Sequence, residues 1–308
     1  MQRETNTGLG IVKLAAFLAM ALAVFTTQAQ TAKPSHPTVV FMTDFGHVDD
    51  SVPICKGVML AIEPDLRLVD LTHDVTPFSI LEGARFLAGT APYFPQGTVF
   101  AGVVDPGVGS ARKAIVALTK RGLYFVVPDN GLLTLVANQD EIVAAHEITN
   151  IKWMIGAKLS STFHGRDIFS PVAAHIAHGE DWTEVGPELA VSSLVRLNVP
   201  AASLDGTELA ATVIGTDGPF GNLVTNAAKD DFAKLGYALG DKVTASIDGK
   251  SFEIPFVKTF SDVPVGSPLF YIDSRGRLGL AVNQGSFAAL YPVKIPAPIV
   301  ISQKVAAK

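Results

Sequence analysis

From Thr38 onward the chain alternates short, nearly unbroken apolar runs with segments whose apolar residues recur at helical spacing. The runs "TVVFMTDF", "LRLVDLT", "GTVFAGVVD" and "LYFVVPD" show little polar alternation, as strands do when both faces of their sheet are covered. Between them "DSVPICKGVMLAIEP" and "SILEGARFLAGTAPYF" read as helices, and "FSPVAAHIAHG" reads as a later one. Strand and helix in turn predict an α/β layer with a mostly parallel sheet over residues 38–190. A linking stretch, 191–204, follows. Over 205–300 the texture changes to short strands such as "ELAATVIGTD", "KVTASIDG", "PLFYIDSRG" and "RLGLAVNQG", parted by Gly, Asp and Ser turns, which predicts a smaller β domain.

The first residues follow a different pattern. Arg3 and Lys13 precede an unbroken apolar run, Leu14 to Phe25, and small residues stand at Thr27 and Ala29. The run is too short to span a bilayer. It predicts an export signal over residues 1–29, cut near Ala29, and hence a periplasmic or secreted protein with no membrane segment in its mature form. The 308 residues carry a net charge of −5 and no basic stripe, which argues against a nucleic-acid partner. The single cysteine, Cys55, lies in an apolar helix pattern and reads as core packing; alone it excludes an internal disulfide.

Candidate chemistry gathers at strand ends. In "VVDPGVGSARK" the third glycine of a dinucleotide fingerprint is replaced by Arg112, and no Gly-Lys-Ser/Thr follows, so neither phosphate-binding motif is present. Asp105 remains at a strand's carboxyl end, where open α/β sheets bind ligands, with Arg112 able to fold back toward it; a structural turn is the plain alternative. "FMTDFGHVDDS" supplies Asp44, suited to a ribose diol, and Asp49 and Asp50, one of which suits the start of the next helix. "SSTFHGRDIFSP" holds His164, the side chain most readily poised for proton transfer near neutrality. His175 and His178 have no evident third ligand and read as structural, and no carboxylate cage suggests a metal. In the β domain Asp217, Phe220, Asn222, Ser274 and Arg275 offer contacts for an ammonium, a ring, a purine edge and a carboxylate, though each is singly compatible with a turn.

Five segments in order, "MTDFGHVDDSVPICKG", "GTVFAGVVDPGVGSARKAI", "PDNGLLT", "STFHGRDIFSPVAAHIA" and "GPFGNLVTN", resemble the S-adenosyl-L-methionine hydrolases, or hydroxide adenosyltransferases, relatives of the bacterial fluorinase and chlorinase. The resemblance runs from about Thr38 to Pro292. It implies an α/β domain followed by a β-barrel-like one, a homotrimer with substrate at subunit interfaces, and hydrolysis of S-adenosyl-L-methionine to adenosine and methionine with no metal or other cofactor. It implies catalytic roles for Asp105, Arg112 and His164 and a ribose-binding role for Asp44. Asn222 would meet the purine edge, and Phe78, Phe220 and Phe260 the adenosyl rings. Asp49 falls among the substrate contacts, Asp217 on the methionine ammonium, and Ser274 or Arg275 on its carboxylate. Halogenases carry an inserted loop after this turn and tyrosines where Asp105 and His164 stand; here "SARKAIVALTKRGLYFVVPDNG" runs straight through. "DDSVPICKG" resembles the halogenases at least as much as the hydrolases. A binding protein without turnover is the alternative from another class.

Overall fold

A computed structural model describes residues 37–305 of the chain; the expected export signal lies outside them. The first half is built from β1 (Thr38–Thr43), α1 (Ser51–Ile62), β2 (Arg67–Thr72), α2 (Ile80–Thr90), β3 (Val99–Val103), β4 (Ala114–Thr119), β5 (Tyr124–Pro128), β6 (Ile142–Glu147), α3 (Ser170–His178) and the two-residue β7 (Glu188–Leu189). Its seven strands form one sheet in the order β2-β1-β3-β5-β4-β6-β7. The side running β2-β1-β3-β5 is parallel, whereas β4, β6 and β7 each join antiparallel to a neighbour. The mostly parallel sheet expected from the sequence is therefore mixed. The reason is local: "KAIVALTKRGLYFVV" is a hairpin, turning at Lys120–Gly122 rather than crossing over through a helix.

Two apolar layers cover this sheet. On one face Cys55 and Met59 of α1 and Val172 to Ile176 of α3 pack on Phe41 and Val126; on the other Ala84 and Leu87 of α2 pack on Val40, Phe100 and Val127. Burial on both faces is what the unbroken apolar strands encode. Burial also pushes the Cys55 thiol up to about 11, so it is an inert packing group.

The second half contains β8 (Ser203–Asp205), β9 (Glu208–Asp217), β10 (Asn222–Ala228), β11 (Lys242–Ile247), β12 (Lys250–Pro255), β13 (Pro268–Ile272), β14 (Arg277–Val282) and β15 (Ala297–Ser302). They form an antiparallel sheet, β12-β11-β15-β9-β10-β14-β13, with β8 also on β9. Phe256 just beyond β12 bridges Phe270 of β13, which nearly closes the sheet into a barrel around Phe232, Phe270, Leu280 and Phe287. β15 is a central strand, between β11 and β9. Among the described residues no helix is long and apolar enough to cross a membrane.

Candidate active site

The parallel register sets β1 and β3 side by side, with Thr43 opposite Val103. The next residues of each strand therefore leave the sheet at the same carboxyl edge, bringing Asp44 and Asp105 to one place. A pocket of about 240 Å³ opens there, lined by Asp44, Phe45, Phe78, Asp105, Phe163 and His164 among others.

The turn after Asp105 is tight. Val108 N donates to the Asp105 carbonyl at 3.1 Å, and the Ser110 hydroxyl to the Gly107 carbonyl at 2.6 Å. Gly109 sits at φ +79°, and a Cβ there would collide with the Ser161 carbonyl oxygen. Gly109→Ala is therefore expected to cost about 1–3 kcal/mol of unfolding free energy, read as a lower urea midpoint at unchanged m. The turn sends Arg112 back, so that Nη2 pairs with Asp105 Oδ2 and lies 3.5 Å from His164 Nδ1, while Nη1 donates to the Lys113 carbonyl at 2.8 Å.

Both members of the pair are withdrawn from water, with side chains 4% exposed for Asp105 and 9% for Arg112. Burial pushes the Asp105 carboxyl above its ordinary value, and the guanidinium against it only partly offsets this. Burial, and then the Arg112 charge, hold His164 below the usual histidine value. Asp105 Oδ1 is buried and has no hydrogen-bond partner, a costly state for a carboxylate oxygen unless something donates to it.

His164 begins a π-helical turn, Gly165–Phe169, leading into α3; such turns are rare and concentrate at functional sites. Fully buried Asp167 anchors it by accepting from Ser160 N and Arg166 Nε, each at 2.5 Å. The Phe45 ring packs over Gly165, where a Cβ would come within about 3.0 Å of its Cζ.

The expected site residues fall into three groups. Asp44, Phe78, Asp105 and His164 share the pocket at the sheet edge, with Arg112 behind it. Phe220, Asn222 and Phe260 line a separate pocket of about 300 Å³ with Val282, Asn283 and Gln284. Ser274 and Arg275 line a third, of about 290 Å³, with Arg85, Tyr93, Gln139 and Arg277. Asp217 belongs to this third group through its charges: its Oδ1 accepts from Arg85 Nη1 at 2.8 Å and has Arg275 Nη1 at 3.6 Å. Arg85, almost fully buried and also bonded to the Thr216 carbonyl, was not among the expected residues. Within one chain the Asp217 carboxylate thus already has a cation. Asp49 lines none of these pockets; its Oδ1 accepts from Ser51 N at 2.9 Å at the start of α1. His175 and His178 pair with Glu180 and Glu63, each at 2.6 Å. Among the described residues no three His, Cys, Asp or Glu are grouped to hold a metal ion.

Residues 39–186 match the SAM hydroxide adenosyltransferase N-terminal domain, and residues 211–300 the C-terminal domain. The chain is 40% identical over 260 residues to the (R)-S-adenosyl-L-methionine hydrolase of Salinispora arenicola (strain CNS-205), covering 84% of this chain and 95% of that one. It is also 35% identical over 292 residues to the fluorinase of Actinoplanes sp. (strain N902-109), covering 87% and 97%. A solved structure of an uncharacterized conserved protein from Thermotoga maritima superposes with a TM-score of 0.81 at 38% identity, covering 86% of this chain and 99% of that one. With both domains matched in order across the sheet edge and the barrel, the chain belongs to the SAM hydroxide adenosyltransferase family.

Proposed function

We propose that the chain hydrolyses S-adenosyl-L-methionine to adenosine and L-methionine by attack of water at C5′ of the ribose. The observation that carries this reading is the buried Asp105–Arg112–His164 cluster, in which Asp105 Oδ1 has no hydrogen-bond partner. A water donating to Oδ1 would sit beside both a carboxylate and a neutral imidazole.

The water oxygen forms a bond to C5′ while the C5′–S⁺ bond breaks, its electron pair leaving on sulfur as a neutral thioether. The water proton passes to Asp105 or His164. Free water, with a pKa of about 15.7, is not ionised beforehand by a carboxylate near 4, so the proton moves within the transition state. Arg112 steadies the oxygen as it gains negative charge. The substrate cation is neutralised as the bond breaks, so a poorly hydrated pocket favours the departure. Asp44 takes the ribose hydroxyls, and Asn222 with Phe220 and Phe260 the adenine.

The fluorinase relatives make 5′-halogenation the second reading. Against it stand Asp105 and His164 themselves and the direct run from Arg112 into β4, without an inserted loop. The test is chromatography of the full chain with S-adenosyl-L-methionine, with and without chloride or fluoride. Equal adenosine and methionine, independent of halide, are expected; a 5′-halogenated nucleoside overturns the reading, and binding without products points to a binding protein.

Two further parts of the proposal concern assembly and location. Phe78 and Phe220 are 71% and 68% exposed, on pockets that share no residue. Rings left open to water in two separate half-sites suit a homotrimer in which the sheet-edge pocket of one subunit meets the barrel pocket of the next. The export signal expected from the sequence of residues 1–29 is the ground on which we propose a periplasmic or secreted mature chain.

A further inference from the structure

We infer that His73 is a positioning residue for the Asp44 carboxylate, acting through a one-directional hydrogen-bond chain that fastens the end of β1 to the strap 73–78. This rests on the reading of Asp44 as the ribose ligand. The His73 side chain is fully buried. Its Nε2 lies 3.2 Å from Asp70 Oδ1, and its Nδ1 2.9 Å from Thr43 Oγ1. Lys56 of α1 donates to the other oxygen of Asp70 at 2.7 Å, and the His47 ring stands 5.5 Å away on the outer side, itself 3.4 Å from Asp74.

Chemistry fixes the direction of the chain. A carboxylate only accepts, so Nε2 carries the imidazole proton and Nδ1 offers a lone pair. The Thr43 hydroxyl must then donate to Nδ1. Its oxygen is left to accept from Phe45 N, which lies 3.2 Å away. From the Phe45 amide to the Lys56 ammonium each successive link then has one donor and one acceptor. Burial holds His73 below the ordinary histidine value, which keeps the ring neutral as this order requires.

Thr43 precedes Asp44, so the chain acts on the carboxylate directly. The backbone closes a ring around it. Gly46 N donates to the His73 carbonyl at 2.8 Å, Val75 N to the Thr43 carbonyl at 3.4 Å, and Phe78 N to Asp44 Oδ2 at 2.9 Å. That last bond leaves Oδ1 of Asp44 for a ligand. Phe78 adopts φ +68°, a conformation that a phenylalanine holds only where its surroundings over-determine it. The clasp between Thr43 and His73 supplies part of that constraint.

The test uses Thr43→Val and His73→Phe, singly and together; the first keeps the side-chain shape, and the second keeps an aromatic ring against Phe41. The KM for S-adenosyl-L-methionine and the Kd for adenosine are expected to rise about tenfold in each, with kcat within about threefold. The double variant is expected to be no worse than the worse single one, because both break one chain. Thr43→Ser, which keeps the hydroxyl, restores wild-type KM. Amide hydrogen exchange at residues 45–46 and 75–78 is expected to quicken, with the thermal midpoint lowered by about 2–8 °C because one buried partner is left unpaired. Additive effects, a loss in kcat at constant KM, or unchanged exchange overturn the inference. If the wild-type chain neither turns over the substrate nor binds adenosine, the functional reading has failed, and the exchange data alone decide the clasp. Should His73→Phe not fold, Thr43→Val carries the test.

Discussion

Replacing Asp105 with alanine is expected to lower kcat by about 10²–10⁴-fold, the contribution of a positioned proton acceptor. The buried Arg112 guanidinium would then keep the Lys113 carbonyl and the long contact to His164 Nδ1 but no carboxylate, so breaking the pair is expected to cost about 3 kcal/mol or more of stability as well. In a chain of this size that lowers the thermal midpoint by roughly 6–12 °C. Activity is therefore measured at 25 °C, with circular dichroism confirming the fold. A variant with more than a tenth of wild-type kcat would remove Asp105 from the chemistry. The same cluster predicts the shape of the pH profile. Burial raises Asp105 from 3.8, and burial with Arg112 lowers His164 from 6.5, so the two titrations move toward each other. Above pH 7 the carboxylate is ionised and the imidazole neutral, and kcat/KM is expected to be level. Below pH 7 the two groups gain protons in successive steps and kcat/KM is expected to fall, its slope exceeding one in log units only once both are protonating, because a proton on either group disfavours one on the other. A shallow slope of one or less would mean that only one of the two matters.

Two variants that are each nearly inactive are expected to work together. Asp105→Ala disables the sheet-edge pocket, and Phe220→Ala with Asn222→Ala disables the barrel pocket. If each site joins the first pocket of one subunit to the second pocket of the next, any mixed trimer contains one intact pair. Co-expressed with two different tags and purified through both, the mixture is expected to show about a third of wild-type activity per trimer. Activity no higher than that of the separate variants would place the whole site within one chain, and the exposure of Phe78 and Phe220 would need another partner.

How much of this was legible depended on where the physical signal lay. β1, β3 and the helices beside them were plain because unbroken apolar runs and helical spacing record burial directly. β15 was not: "KIPAPIV" holds two prolines, which argue locally against a central strand, yet Pro298 sits in the register opposite Thr212 and the strand fills the middle of the sheet. The meeting of Asp105, Arg112 and His164 was expected from the family's residues; their burial and the orphan oxygen were not, because neither leaves a pattern in sequence. Arg85 was missed for a similar reason. A single arginine in "ILEGARFLAG" looks like a solvated helix residue, and only the barrel strand packed on α2 makes it a buried partner of Asp217. The Thr43–His73 contact joins residues 30 apart through hydrogen bonds alone, to which hydrophobic periodicity is blind.

The place of β15 also bears on how the molecule is made. The α/β half can complete its sheet once residue 189 has been synthesised, since every strand in it comes from 38–189. The barrel cannot. β9 and β11 have no neighbour between them until 297–302 arrives to pair with both. During synthesis, the emerging second half therefore exposes two unpaired strand edges, and its closure is a late event dominated by contacts distant in sequence, the slow kind. A finished first domain thus waits beside an open sheet whose edges are templates for another chain, and it is in this interval that the protein is most exposed to aggregation.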